Sequence, residues 1–528
     1  MLHTIHGGRL IILEKNEFTI DEAVRKANLK MLSYYDDLEK KVKRHLPRKY
    51  IIYIAERLTQ CRRDLKEFTK TPPHNLLHSI EANCAYHKDG YDEPLSWNRF
   101  AKIMNLYHDY GDSPFLTYTI KENPERFFLM MARQQFELQN TPSKSYMARV
   151  WSLFVNNPYT ALLREESKKK FGISMEQWFH LAFLSWAAAN QQDNCMFRKD
   201  IFLSCDFYNV TQDVIETFYR YTSLSIGQIK ENYLSVRKQE ERAFHFLIRS
   251  VFLARPIIDL EDGNMIAPYP NLIFINSGEG LLELVSSIKN YDVDISKSFE
   301  AYVEQLLKCL DNKIQIISSN ELEAVVKRTT RGKSCDFLVE TDTEIILVEC
   351  KATTFTAKMF TDNAILNNNS TSKIAKALVQ LYTTAYDLSK GVFDALNIDK
   401  NKPTIGIVVT LGEIPLVNSE WYFNSFIIAR ADNKLTFPIF PSIAMKSEPI
   451  SMSVDSFEKL ITVLNNSKTN IMDLYEQKER KGYGTVGDWN SYLRSQLKAG
   501  YKLLSIIQAN EEQFFESMGV DVEKLVGN

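Results

Sequence analysis

Apolar residues recur at helical spacing through most of the first half of the chain. From residue 18 to about 250 they are separated by charged residues, as in FTIDEAVRKANLKMLSYYDDLEKKVKRHL, and this is the pattern of amphipathic helices. Helices are also predicted at PERFFLMMARQQFELQ, SKSYMARVWSLF, SMEQWFHLAFLSWAAANQ and the long stretch from VIETFYRY to LIRSVFL. Helix breakers mark the loops between them, as in TPPHN and YGDSP. We therefore expect a large, mostly α-helical N-terminal domain over 1–254.

The pattern changes near Arg255. RPIIDL and NMIAPYP predict two short strands on either side of an Asp262-Gly263 turn, because β-rich runs flank a dipeptide that favours tight turns. The short, strand-containing connector that we expect here covers 255–290.

Helices and strands then mix. SFEAYVEQLLKCL predicts a helix, and KIQIIS, CDFLVE and EIILVECKA predict three strands. SKIAKALVQLYTTAYDLSK predicts another helix and TIGIVVTLGEIP another strand, an order typical of a sheet with helices on its faces. We expect an α/β domain with a mixed central sheet over 291–470 and a helical extension over 471–528. The predicted fold class of the whole chain is α+β, in several domains.

Composition and charge exclude several classes of protein. The chain has 528 residues, 45% hydrophobic and 25% charged, which is typical of globular domains and not of disordered chains. A net charge of -2 excludes a uniformly basic nucleic-acid binder but allows a local basic patch. The seven cysteines are dispersed, which suits a reducing compartment. The most apolar segment, WFHLAFLSWAAAN, is too short to cross a bilayer. With no evident secretion signal, we expect a cytoplasmic protein that does not interact with membranes.

The residues that indicate chemistry lie in SCDFLVETDTEIILVECKATTF. Asp336 begins one predicted strand, and Glu349 and Lys351 end the next. Residues two apart on a strand project to the same side, so Glu349 and Lys351 are expected to lie side by side. A short turn makes the two strands antiparallel, which brings Asp336 to the Glu349 end. Two carboxylates and one ammonium group are therefore predicted in one pocket.

This set of groups suits metal-assisted hydrolysis of a phosphodiester. Carboxylate oxygens are the ligands that Mg2+ or Mn2+ prefers, and such a metal polarises a phosphate and activates water. Lys351 is expected to orient the water or to offset charge in the transition state. Glu300 lies at the edge of the apolar stripe of the preceding helix, from where it can reach the metal or a bound water.

At these residues the chain resembles the PD-(D/E)xK nuclease superfamily, which has the restriction-endonuclease-like fold. Asp336 matches the aspartate of the motif, and Glu349 and Lys351 match its (D/E)xK pair. Glu300 resembles the glutamate of the family's first helix, and Gln380 the residue that some branches carry in the following helix. Cys335 replaces the family's proline. The resemblance implies Asp336, Glu349 and Glu300 as ligands of Mg2+ or Mn2+, and Lys351 and Gln380 as further active-site residues.

Basic residues near this window are candidates for contacts with a nucleic-acid backbone. Six cations precede the second strand or lie on the following helix: Lys327, Arg328, Arg331, Lys333, Lys373 and Lys376. Such contacts would make binding sensitive to salt. The alternative is that these residues are a solvated basic turn and an ordinary helix surface. Likewise, the alternative for Glu349 and Lys351 is a surface ion pair, although an acid at the end of an apolar strand is costly unless it is paired.

The sequence thus predicts a Mg2+-dependent endonuclease, with DNA favoured over RNA as its substrate. Chains that join such a nuclease to a large helical region resemble antiviral defence and restriction effectors of prokaryotes. The helical region is then expected to sense a trigger, bind a partner protein, form a homodimer or hold the nuclease in check. Two alternatives remain: a catalytically silent nucleic-acid-binding or scaffold protein, and a DNA repair nuclease.

Overall fold

The structure is a computed structural model. It describes 2–6, 9–13, 33–64, 71–111, 138, 144–204, 210–239, 250–310, 314–326, 333–354, 369–414, 417–419, 422, 427, 445, 448–467, 469–480, 489–497, 501–502 and 504–519. The predicted helix at PERFFLMMARQQFELQ lies almost wholly outside the described residues. Three of the predicted phosphate contacts, Lys327, Arg328 and Arg331, also lie outside them.

Most of the described residues are helical. In chain order the α-helices are α1 Pro47–Arg63, α2 Pro73–Tyr86, α3 Trp97–Gly111, α4 Lys144–Phe154, α5 Ala161–Phe171, α6 Met175–Asn190, α7 Gln212–Thr222, α8 Ile226–Gln239, α9 Asn271–Ile275, α10 Leu281–Val285, α11 Tyr291–Leu307, α12 Ser319–Val325, α13 Asn369–Ser389, α14 Val454–Asn466, α15 Ile471–Arg480, α16 Trp489–Gln496 and α17 Ser505–Ser517. A further helical segment covers 33–42. Within the described residues, none of these helices combines the length and apolar character needed to span a bilayer.

The strands form a hairpin and two mixed sheets. They are β1 Leu2–His6, β2 Arg9–Leu13, β3 Met196–Arg198, β4 Ser223–Ser225, β5 Ile257–Asp259, β6 Asn264–Ile266, β7 Gln315–Ser318, β8 Phe337–Glu340, β9 Ile345–Lys351, β10 Thr404–Thr410 and β11 Ile450–Ser453. β1 pairs with β2, and the sheet orders are β3-β6-β5-β4 and β11-β10-β9-β8-β7. The architecture is therefore α+β, as predicted.

Packing divides the chain into two compact units. The first contains Met1–Asn140, Ser185–Ile201 and Tyr219–Asn276, and the second contains Thr141–Leu184, Phe202–Phe218 and Ser277–Asn528. The second unit, which holds the five-stranded sheet, thus includes two segments that the sequence pattern assigned to an N-terminal domain ending at 254. Helical periodicity identifies an apolar face but does not say which core will cover that face.

The long helix predicted from VIETFYRY onward is interrupted at Ser223–Ser225. The short strand β4 separates α7 from α8. Ser225 and Gln228 cause the break, because the Ser225 hydroxyl accepts from the Gln228 N–H at 3.2 Å and the Gln228 amide oxygen accepts from the Ser225 N–H at 3.0 Å. This reciprocal pair is a capping box, which starts a new helix. Elsewhere, the predicted hairpin around Asp262 and Gly263 is present as antiparallel β5 and β6.

The five-stranded sheet carries the predicted chemistry on its central strand. β9 is parallel to β10 and antiparallel to β8, and six of its seven residues are buried. Helix α13 covers one face, where its apolar side chains share a core with the strands. That core contains Leu338, Leu347, Ile374, Leu378, Leu381 and Val408. A polar side chain at the end of β9 therefore enters the edge of a well-packed interior.

Candidate active site

Asp336 and Glu349 face each other across the β8–β9 hairpin. Phe337 is paired with Val348 in the antiparallel ladder. Asp336 precedes Phe337 and Glu349 follows Val348, so the two acids lie opposite each other. The Asp336 N–H donates to Glu349 Oε2 at 3.1 Å, and the Cys350 N–H donates to Asp336 Oδ2 at 2.7 Å. Each acid is thus held by a backbone N–H of the opposite strand, and the predicted pair of carboxylates is brought together.

Burial and mutual repulsion make both carboxyl groups unusually basic. Glu349 is 1% exposed. Burial, followed by the nearby Asp336 carboxylate, raises the pKa of Glu349 to about 8 against the opposing effect of Lys351. The pKa of Asp336 is also raised, because burial outweighs its hydrogen bond from Cys350 and the nearby lysines. Two acids in this state are stabilised by a nearby cation, which offsets their repulsion.

Lys351 lies against this pair. Its ammonium group donates a hydrogen bond to Glu349 Oε1 and another, at 3.1 Å, to Gln380 Oε1. Burial acts to lower the pKa of Lys351, but the Glu349 carboxylate outweighs burial and the pKa lies above its ordinary value. The predicted neighbours on β9 therefore form a charged pair with a fixed ammonium group.

Gln380 connects Lys351 to the segment that precedes Asp336. Its side-chain amide accepts from Lys351 and donates from Nε2 to the Ser334 carbonyl at 3.2 Å. Helix α13 supplies Gln380 from the face that packs on the sheet. Gln380 is thus brought into the site as predicted, but its described partners are protein groups that it holds in place.

Cys335 makes a contact that proline cannot make. The Cys335 N–H donates to the Thr384 hydroxyl at 2.8 Å, and that hydroxyl donates to the Gln380 carbonyl at 2.9 Å. Proline has no N–H to donate. A helix residue therefore satisfies a donor that a proline at position 335 would lack.

We expect Thr384→Val to destabilise the second unit by about 1–3 kcal/mol, because the buried Cys335 N–H would lose its acceptor. Urea unfolding followed by circular dichroism measures this cost. Thr383→Val is the matched control, since the Thr383 hydroxyl also donates to a carbonyl one turn earlier, that of Val379. Equal losses in the two variants would contradict the assigned role of Thr384.

Glu300 enters the site from helix α11. Burial, and then the Asp336 carboxylate, raise the pKa of Glu300 to about 7, whereas Lys351, Lys297 and Lys333 act to lower it. Glu300 therefore shares the electrostatic environment of the Asp336 cluster. Glu304, one turn later, forms an ion pair with Lys308 at 2.6 Å instead.

Of the three predicted cations within the described residues, one precedes β8 and two lie on α13. Lys333 is exposed and acts to lower the pKa of Glu300 and of Asp336, both of which burial raises. Lys373 and Lys376 are on α13, and Lys376 is exposed one turn before Gln380. Lys373 Nζ lies 3.9 Å from Asp292 Oδ1, which is on α11.

Two carboxylates are in place for a metal ion. Among the described residues, no group of three or more His, Cys, Asp or Glu side chains that could hold a metal ion is assembled, so the predicted set of three ligands is not preformed. Asp336 and Glu349 fit the way Mg2+ is commonly bound, by one or two carboxylates together with waters and substrate phosphate. Burial raises the pKa of both carboxyl groups, and a divalent cation bound there would favour their charged forms.

Residues that the motif did not identify complete the site. Ser334 supplies the carbonyl that Gln380 binds, Thr384 supplies the acceptor for Cys335, and Lys297 adds charge beside Glu300. Helical spacing was the available signal for two of them, because Thr384 is four residues after Gln380 and Lys297 three residues before Glu300. The position of Ser334 depends on a contact between distant segments.

Comparisons of the chain with protein-family models, with curated proteins and with solved structures found no match.

Proposed function

We propose that this chain is a metal-dependent nuclease that hydrolyses phosphodiester bonds in DNA. The observation that carries the proposal is the assembly of Asp336, Glu349 and Lys351 on two adjacent strands, with both acids and the ammonium group held by hydrogen bonds. The choice of DNA follows from the resemblance to PD-(D/E)xK nucleases and remains an expectation.

The surrounding fold supports the same proposal. A helix that carries Glu300 precedes the sheet, the acids lie on the β8–β9 hairpin, and a helix that carries Gln380 follows. The five-stranded sheet is mixed, with the antiparallel pair β8–β9 beside the parallel pair β9–β10. This order and pairing are those expected of a restriction-endonuclease-like domain, which we propose for the part of the second unit around the sheet.

In this mechanism Asp336 and Glu349 would hold Mg2+ or Mn2+. The bound metal supplies polarisation of the phosphodiester and activation of water. Lys351 presents its ammonium group to the charge that develops on the phosphate oxygens, an effect that is strong in a site from which water is excluded. Gln380 fixes the direction of that ammonium group, and Glu300 adds negative charge on the α11 side.

The biological role is proposed by analogy. A nuclease joined to a second compact unit resembles the effectors of prokaryotic antiviral defence, so we propose that the first unit regulates cleavage. Overexpression of a defence effector is expected to inhibit growth of the host. Loss of that inhibition in the Asp336→Asn variant would support the defence role over a role in DNA repair.

Cleavage assays test the proposed activity. Plasmid, linear duplex, single-stranded DNA and RNA would be incubated with the full chain in Mg2+, Mn2+ or EDTA. We expect metal-dependent cutting of DNA that Asp336→Asn abolishes, because an amide is a poorer metal ligand yet still accepts the hydrogen bond from Cys350.

Asp342→Asn serves as the control, because Asp342 is exposed in the turn of the same hairpin. It should leave cutting unchanged. Metal-independent cutting, or no difference between wild type and Asp336→Asn, would overturn the proposed mechanism. Binding of DNA without cutting under any condition would favour a silent nucleic-acid-binding protein.

A further inference from the structure

Helix α11 presents a charged, exposed strip above its buried face. Phe299, Val303 and Leu306 are fully or nearly fully buried. On the other side of the helix, Lys297 is exposed and lies three residues before the half-buried Glu300. Residues three apart on a helix are neighbours on its surface. Lys297 and Glu300 therefore share one strip of the helix surface, and the charge of Lys297 acts on the Glu300 carboxyl.

The neighbouring elements supply further cations around the same acids. Lys333 precedes β8, and both Lys297 and Lys333 act on the Glu300 carboxyl. Lys376 is exposed on α13, and the Lys373–Asp292 contact of 3.9 Å brings that helix close to α11. Three elements that meet at Asp336 and Glu349 therefore each carry an exposed lysine.

Lys297 differs from Lys308 and Lys373 in its ion pairing. Lys308 is engaged by Glu304 at 2.6 Å, and Lys373 has Asp292 within 4 Å. Within the described part of the chain, Lys297 has no ion-pair partner. An exposed ammonium group that acts on the Glu300 carboxyl, yet is not bound by an acid, is available to an anionic ligand.

We infer that Lys297 binds the backbone phosphate next to the scissile one, and that Lys297, Lys333 and Lys376 together select polymeric phosphodiesters. This inference rests on the proposed nuclease function. The acidic cluster repels an approaching polyanion at short range, so contacts on the flanking phosphates have to offset this repulsion. Side chains that contact phosphate contribute to affinity in a salt-dependent way and carry no base specificity.

The test is steady-state cleavage of a labelled linear DNA duplex in Mg2+ over a series of NaCl concentrations. For Lys297→Ala we expect KM to rise about tenfold with kcat nearly unchanged, and the slope of log kcat/KM against log [NaCl] to become about one unit shallower. Lys297→Arg, which keeps the charge, should retain most of the affinity.

Lys308→Ala is the matched control, because Lys308 is an exposed lysine at the end of the same helix. It should leave KM and the salt slope unchanged. An unchanged slope in Lys297→Ala, an equal effect in Lys308→Ala, or a loss confined to kcat would overturn the inference while leaving the nuclease proposal intact. If wild type cleaved no duplex under any metal condition, the proposed DNA substrate and this inference would fail together.

Discussion

Replacing Lys351 with methionine is expected to lower the rate of Mg2+-dependent DNA cleavage about 10³-fold, because removal of one preorganised donor from a reaction site typically has an effect of this size. The ammonium group is fixed by Glu349 and Gln380 beside the proposed metal ligands. Methionine keeps the length and apolar stem of the side chain, so packing around β9 should persist. Single-turnover cleavage at saturating Mg2+ measures the loss, and fluorescence anisotropy with labelled DNA should show binding largely retained.

A second lysine–glutamate pair in the same unit provides the control. Lys402 lies 2.7 Å from Glu340, and the two side chains are 22% and 12% exposed, a partly buried setting like that of Lys351. This pair is at the opposite end of the β8–β9 hairpin. Lys402→Met should therefore cost some stability but leave the cleavage rate within about twofold of wild type. Equal loss of cleavage in both variants, or full activity in Lys351→Met, would contradict the role of Lys351.

The core of the candidate site was predictable because it depends on local sequence. A short turn between two apolar strands sets their antiparallel register, and that register alone brings Asp336 opposite Glu349. The period of two along β9 places Lys351 beside Glu349 in the same way. The helix bearing Glu300 was predictable from its apolar stripe. Each of these conclusions involves residues close in sequence or joined by one turn.

Burial of an acid alone does not distinguish a functional from a structural role, and β9 provides a direct comparison. Glu344, just before this strand, is 2% exposed. Its carboxylate accepts from the N–H groups of Ile471 at 2.8 Å and Met472 at 3.3 Å, at the start of α15. Glu344 therefore caps a helix, where the free N–H groups favour an anion. Glu349 instead faces another acid and a lysine, an arrangement that the register of the hairpin and the period of the strand indicate from sequence.

Contacts between distant segments account for what the sequence did not predict. Thr384 meets Cys335 across 49 residues, and β11 adds to the edge of the sheet beside β10 after a long connection. The assignment of residues 141–184 to the second unit also depends on contacts between segments that are distant in sequence. The Ser298 hydroxyl of α11 donates to the Leu153 carbonyl of α4 at 2.7 Å. The helix that carries Glu300 is thus anchored on a segment that the sequence pattern placed in another domain.

Arg149 links α4 to α14 within the second unit. Its guanidinium group donates to both carboxylate oxygens of Glu458, each at 2.7 Å, and to Asp455 at 2.9 Å. Tyr302, on α11, donates to the same Glu458 at 2.7 Å. Burial acts to raise the pKa of Asp455, but Arg149 and Lys459 outweigh it and hold that pKa well below its usual range. One arginine from α4 therefore pairs with the buried Glu458 carboxylate and with the partly exposed Asp455 carboxylate.

We expect Arg149→Met to destabilise the second unit by about 3–5 kcal/mol, because it leaves the buried Glu458 carboxylate without its cation. Urea unfolding followed by tryptophan fluorescence measures the loss. Arg480→Met is the control: Arg480 pairs with Glu476 at 2.7 Å, but both side chains are at least half exposed, so the cost should stay below about 1 kcal/mol.

The double variant Arg149→Met, Glu458→Gln should recover part of the loss, since it removes one of the uncompensated charges. A loss no larger than that of Arg480→Met would contradict the role of Arg149. In that case the sheet would not depend on α4, and a chain shortened to begin near residue 290 would be expected to keep it stable.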